Sequence, residues 1–169
     1  WRARLAKERI GIMGGSFNPI HERHVEMAAC ALREANLARV LFIPTGNPPH
    51  KRTGLEDARQ RLWMTRLAIV GEPRFSASDI ELNREGIIYT VDTLQLLRKQ
   101  MPGAEFFYII GEDTLCDLPN WHQPDKVMTL CTFLVCPRVS ALSADSPACR
   151  AVTARGAKLR TDKRVTSLK

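Results

Sequence analysis

At 169 residues, 44% hydrophobic and 25% charged, the chain has the size and composition of one domain with a substantial core. No apolar run approaches the roughly 18–20 residues that a membrane span requires, and no secretory pattern opens the chain, so no membrane partner is expected. The formal charge of +7 is uneven: Arg138 to Lys169 holds eight Lys or Arg against two Asp or Glu, and the rest is close to neutral. Such a tail suits nucleic acid or phosphate, and equally a solvated end. It lacks the interleaved aromatics of a nucleic-acid surface, so no nucleic-acid partner is expected. The five cysteines (Cys30, Cys116, Cys131, Cys136, Cys149) are odd in number and form no CxxC pair, which predicts free thiols in a reducing cytoplasm. Trp1 stands first in place of Met, which points to a piece of a longer chain.

Residues 1–9 are basic and carry no motif. A strand is expected from about Arg9 to Met13, then Gly14-Gly15-Ser16-Phe17-Asn18-Pro19-Ile20-His21-Glu22-Arg23-His24, then a helix to about Asn36 with Val25, Ala28, Ala29 and Leu32 on one face. Asn36 suits a left-handed stop. A glycine pair between strand and helix lets backbone approach a ligand closely. The helix N-terminus behind it favours anions. His21 and His24 stand one helical turn apart, so the whole stretch reads as a phosphate loop.

Val40 to Ile43 is a short apolar run suited to a strand buried on both faces, and it ends in a proline-rich loop with His50 and Lys51 at its tip. A helix follows from about Glu56 to Val70, then a partly buried strand from Phe75 to Leu82 and a turn at Asn83–Gly86. The third helix begins near Thr90, a suitable N-cap, with Val91, Leu94, Leu97 and Met101 on one face. Phe106 to Ile110 and Thr132 to Cys136 are further strands; between them lie a short helix and a loop with Trp121. Beyond Arg138 the pattern weakens, with one strand expected near Ala157–Arg160.

Alternating strands and helices predict a single α/β domain, a Rossmann-like parallel sheet with helices on both faces. Ligands bind such sheets outside the carboxyl ends of the strands. The glycine pair and histidines, His50 and Lys51, Asp113, and Arg138 each follow a strand, so separate segments converge on one edge.

Several chemistries fit poorly. Zinc-protease histidines lie four apart, whereas His21 and His24 lie three apart with no third ligand, so no metal site is expected in the protein itself. The glycines do not spell a dinucleotide fingerprint, and no GxSxG serine elbow is present. Phosphoryl chemistry by in-line displacement remains, with imidazoles, a lysine and helix N–H groups stabilising charge and Mg²⁺ on the nucleotide phosphates.

The opening stretch resembles the G-[TS]-F-[DN]-P-x-H-x-x-H signature of the nucleotidyltransferase superfamily. Asn47-Pro48-Pro49-His50-Lys51, Tyr89-Thr90 with Thr93-Leu94, Ile109 to Leu115, Asn120-Trp121-His122 and Val135 to Arg138 are similar, in order, to segments of the bacterial nicotinate mononucleotide adenylyltransferases. The resemblance implies adenylyl transfer from ATP to nicotinate mononucleotide, giving deamido-NAD and pyrophosphate in the cytoplasm. It implies His21 and His24 as catalytic residues on the ATP phosphates. Gly14, Gly15, Ser16 and Phe17 would line the cleft, and His50, Lys51, Gly111, Asp113 and Arg138 would complete the ATP side, with Asp113 on the ribose. Thr90, Trp121 and His122 would hold the nicotinate.

Each position also has a structural reading: Trp121 as a core anchor, Thr90 as an N-cap, Asp113 as a helix cap, His50 and Lys51 as a solvated loop tip. Two departures stand out. Arg23 occupies a position that is usually Gly in the family. The family's second phosphate motif, I-S-S-T-x-I-R, is absent; Val165-Thr166-Ser167 is similar only to its start, and the family's final helices do not follow. Alternatives are an adenylyltransferase for nicotinamide mononucleotide or phosphopantetheine, and a non-catalytic nucleotide-binding domain. The sequence leaves a homo-oligomer open.

Overall fold

The computed structural model describes residues 6–46 and 57–136, with the backbone of two further strands at Leu159–Thr161 and Thr166–Leu168. Strands β1 (Glu8–Gly15), β2 (Arg39–Pro44) and β3 (Phe75–Ala77) are joined by α1 (Glu22–Glu34) and α2 (Ala58–Ile69) and wind outward in one direction. Helix α3 (Thr90–Gln100) then carries the chain back past β1 to β4 (Ala104–Gly111). There follow α4 (Glu112–Asp117), a 3-10 turn at Leu118–Asn120, α5 (Pro124–Leu130) and β5 (Thr132–Cys136). These five strands are parallel in the order β3-β2-β1-β4-β5. The order reverses between β1 and β4, and that switch point is where such sheets open a crevice for a ligand.

Alternate residues of each strand feed two cores, as the two-residue period of a strand requires. Ile10, Ile12, Leu41, Ile43, Phe106, Ile110, Phe133 and Val135 pack with Val91, Leu94 and Leu97 of α3, Leu115 of α4 and Val127 of α5. Met13, Val40, Phe42, Phe107, Ile109, Leu134 and Cys136 pack with Ala28, Ala31 and Leu32 of α1 and Ile69 of α2. Helices therefore cover both faces of the sheet, as expected. Helix α1 ends as the sequence suggests: Asn36 adopts φ 52° just beyond it.

Four elements differ from expectation. The strand predicted over 75–82 is confined to Phe75–Ala77. Beyond it Ser78 bonds Phe42, then the Ser78 hydroxyl takes the N–H of Ile80 and Leu82 N–H bonds Asp79, so local bonds replace the ladder. Thr90 is not an N-cap: Tyr89 holds that position and α3 starts at Thr90. Helix α5 was not foreseen; Pro124 at its first turn suits a helix start, where its missing N–H costs nothing. The sheet is also not wholly parallel. The strand expected near 157–160 lies at Leu159–Thr161 (β6) and pairs antiparallel with Thr166–Leu168 (β7), which pairs antiparallel with β5. Among the described residues no helix is long and apolar enough to cross a membrane. Cys30, Cys116, Cys131 and Cys136 are in no disulfide; Cys149 lies outside the described residues.

Candidate active site

The carboxyl ends of β1, β2 and β4 form the rim of the site. Gly14 closes β1 against Tyr108 of β4: a Cβ added there would lie 2.3 Å from the Tyr108 hydroxyl oxygen. The absent side chain thus admits a partly buried phenol, which also hydrogen-bonds the Thr90 hydroxyl. Burial pushes the Tyr108 pKa well above its ordinary value, so the ring stays neutral. Thr45 N–H bonds the Gly15 carbonyl at 2.9 Å, fastening the ends of β1 and β2 together.

The chain then turns through Phe17 at φ 46°. A bulky residue in the left-handed region costs on the order of 1 kcal/mol or more. Burial of the ring, only 2% exposed, offsets that cost. Phe17 packs edge-on against His24, with ring centres 5.1 Å apart, and so props the imidazole from below.

His21 is the N-cap residue of α1 and His24 its third helical residue. Their rings lie 4.0 Å apart. The His21 N–H donates to Nδ1 of His24 at 3.3 Å, which makes Nδ1 the unprotonated nitrogen and leaves Nε2–H as the donor of the neutral ring. Burial, then the neighbouring His21 and Arg23, lower the His24 pKa below its ordinary 6.5, so the ring is neutral at pH 7.

Arg61 of α2 is 2% exposed and stands on the buried stripe of its helix with Thr65 and Ile69. Its guanidinium donates to the Ser16 carbonyl at 2.7 Å and to the Thr45 carbonyl at 2.8 Å. One cation therefore holds the loop after β1 and the end of β2 in fixed relation. Glu81 approaches the same place from the turn after β3, where its carboxyl accepts the Gly46 N–H.

Two cavities open on this rim. The first, about 420 Å³, is lined by His21, Arg23, His24, Met27, Gly111, Glu112 and Asp113. The second, about 690 Å³, is lined by Glu81, Ile88, Tyr89, Asn120, His122 and Gln123. Gly14, Gly15, Thr45, Thr90, Tyr108 and Trp121 line both. A bipartite ligand could therefore run from one cavity to the other across the glycine rim.

Of the residues named from sequence, His21, His24, Gly14, Gly15, Gly111, Asp113, Thr90, Trp121 and His122 come together here. Trp121 combines both of its readings, since it lines the cavities and meets Tyr108 and Phe133 edge-on. His122 stacks on Tyr89 at 4.0 Å. Asp113 lies in the first turn of α4, whose N-cap is Gly111. Ser16 and Phe17 line neither cavity; they shape the loop, Ser16 through its carbonyl and Phe17 through its ring. His50, Lys51 and Arg138 lie outside the described residues. Tyr108, Arg61 and Glu81 were missed. Arg61 left a signal, a charged residue on a helix stripe otherwise free of charge; Tyr108 and Glu81 left none that marks them out.

A doubly wound α/β sheet with a glycine rim and paired imidazoles at its switch point is able to hold a phosphate-bearing ligand. A model of cytidylyltransferase-like proteins matches residues 12–162. A "Probable nicotinate-nucleotide adenylyltransferase" of Synechococcus sp. (strain JA-3-3Ab) is 44% identical over 136 residues, 80% of this chain and 66% of that one. The protein of the same name from Shouchella clausii (strain KSM-K16) is 41% identical over 141 residues, 83% of this chain and 73% of that one. The chain belongs to the cytidylyltransferase-like family, among the nicotinate-nucleotide adenylyltransferases. It spans about two thirds of the length of the curated relatives it matches. In fold it is similar to Plasmodium falciparum nicotinic acid mononucleotide adenylyltransferase complexed with NaAD, with a TM-score of 0.73 and 19% identity over 88% of this chain and 71% of that one.

Proposed function

We propose that the chain transfers the adenylyl group of ATP to nicotinate mononucleotide in NAD synthesis, releasing pyrophosphate. The observation that carries the reading is the pair of cavities meeting at the glycine rim, with imidazoles on one side and an aromatic wall on the other. ATP occupies the first cavity, with Asp113 on its ribose. The acceptor lays its nicotinate ring in the second, against Trp121, with Thr90 and His122 beside it. The acceptor phosphate then lies at the shared rim beside the α-phosphate.

An oxygen of the acceptor phosphate forms a bond to the α-phosphorus while the bond from that phosphorus to the bridging oxygen breaks. The electron pair leaves with pyrophosphate. The attacking oxygen is already ionised, so no general base is required, and the protein's work is positioning and charge stabilisation. The His24 Nε2–H meets charge on the phosphate oxygens, and His21 adds a second imidazole. His50, Lys51 and Arg138, which lie outside the described residues, are expected from the family resemblance to supply further positive charge. Glu112 and Asp113 carry the carboxylates of the ATP cavity. That donor set suits Mg²⁺ held largely by phosphate oxygens and water, and does not need a cluster of three protein ligands, of which there is none among the described residues. When bound, Mg²⁺ neutralises phosphate charge. Four described cysteines in no disulfide accord with a cytoplasmic setting.

The test is pyrophosphate release from ATP and Mg²⁺ with nicotinate mononucleotide, nicotinamide mononucleotide or phosphopantetheine as acceptor. The expected result is turnover with the first well above the other two. ATP binding without turnover of any acceptor would make the chain a nucleotide-binding domain instead.

A further inference from the structure

We propose that Glu81 holds the ribose hydroxyls of the acceptor mononucleotide. This rests on the adenylyl-transfer reading above. Glu81 lines the second cavity. Its backbone is pressed against Gly46, where an added Cβ would lie 2.2 Å from the Glu81 carbonyl oxygen, so the residue has little freedom to move away. Its carboxyl accepts the Gly46 N–H. None of the ion pairs Arg9–Glu105, Arg39–Glu8 and Arg74–Glu72 engages it. An ionised carboxylate accepts about four hydrogen bonds, so acceptor capacity remains on a residue that lines the cavity.

The chemistry selects the ligand group. A carboxylate with open acceptor positions calls for paired donors and repels anions. The acceptor mononucleotide has an anionic phosphate at one end and an anionic ring carboxylate at the other. Its neutral, donor-bearing part is the vicinal diol of the ribose, and a carboxylate takes a diol through its two oxygens, as acidic residues do in dinucleotide sites. The phosphate at the glycine rim and the ring against Trp121 leave the sugar between them, in the cavity that Glu81 lines. Burial is also what raises the Glu81 pKa, against the pull of Arg61 and Arg84, as expected of a carboxyl whose polar partners arrive with the ligand.

The experiment measures kcat/KM for nicotinate mononucleotide and for its 2′-deoxy and 3′-deoxy forms, at saturating ATP, in the natural protein and in Glu81→Gln. Glutamine retains an oxygen for the Gly46 N–H, and a melting curve and the KM for ATP establish that the variant is folded. Calorimetric binding of the same three acceptors supplies a readout apart from turnover. In the natural protein each missing hydroxyl is expected to cost about 10–100-fold, the scale of a hydrogen bond to a charged group. Glu81→Gln is expected to weaken the parent acceptor similarly and to shrink the deoxy penalties to about threefold or less. Equal deoxy penalties in the two proteins overturn the assignment and leave the adenylyl-transfer reading intact. Absence of both binding and turnover of the parent acceptor by the natural protein refutes that reading, and the assignment falls with it.

Discussion

Replacing Glu81 by glutamine is expected to stabilise the fold at alkaline pH and to change it little in mild acid. Burial raises the Glu81 pKa from its ordinary 4.5 to about 7, while Arg84, Arg61 and the Gly46 N–H pull it back only in part. The folded state therefore binds more protons than the unfolded chain between these two values. Stability carried by the protonated carboxyl is fully present below pH 4.5 and is lost as the pH rises through about 7. At pH 8 the ionised group costs the fold about 3 kcal/mol relative to a neutral residue of the same shape. Glutamine does not ionise and avoids that cost. Urea unfolding of both proteins at pH 5 and pH 8 reads the difference directly. The expected result is a gap of about 3 kcal/mol at pH 8 that narrows to under about 1 kcal/mol at pH 5. A gap of the same size at both values would refute the reasoning, because it would attribute the effect to packing rather than ionisation.

Three other outcomes follow from the site. His24→Ala is expected to lower kcat by about 10²–10³, the scale for losing one donor to the transition state, with pyrophosphate release as the assay; a near-normal rate would remove His24 from the chemistry. Arg61→Ala leaves the Ser16 and Thr45 carbonyls without their charged donor and is expected to cost about 3 kcal/mol or more in urea unfolding, with Arg61→Lys intermediate; a loss under about 1 kcal/mol would mean that water replaces the guanidinium. Gly14→Ala drives a methyl into the Tyr108 hydroxyl and is expected to cost about 1–3 kcal/mol, partly recovered by adding Tyr108→Phe; equal melting of single and double variants would place the clash elsewhere.

The parts of the fold legible in the sequence were those written in local periodicity. The apolar runs at Val40–Ile43, Phe106–Ile110 and Thr132–Cys136 have no other stable use than buried strands, and each lies within one. Strand length near Phe75 was less legible, because alternation continues past Ala77 while Ser78 diverts the backbone into a turn. Of the antiparallel pair only β6 was expected; the pattern of β7 is too short to announce itself. In the site, the glycine pair and histidines were readable because their spacing is itself the chemistry. Thr90 illustrates the limit: a hydroxyl at a helix start suits a cap, and only the packing of β4 beside it shows that Tyr108 takes the bond instead. Arg61 and Glu81 act on partners distant in sequence, Arg61 on Ser16 from 45 positions away. No local pattern encodes such reach.

The shared rim bears on how freely the protein can be altered. Gly14, Gly15, Thr45, Thr90, Tyr108 and Trp121 line both cavities, so under the proposed reaction a change at any of them alters the handling of donor and acceptor together. Redesign toward a new acceptor is constrained to the outer wall formed by Ile88, Tyr89, His122 and Gln123, which touches the second cavity without the first. Directed evolution that begins there can separate the two specificities; libraries centred on the rim will tie them together.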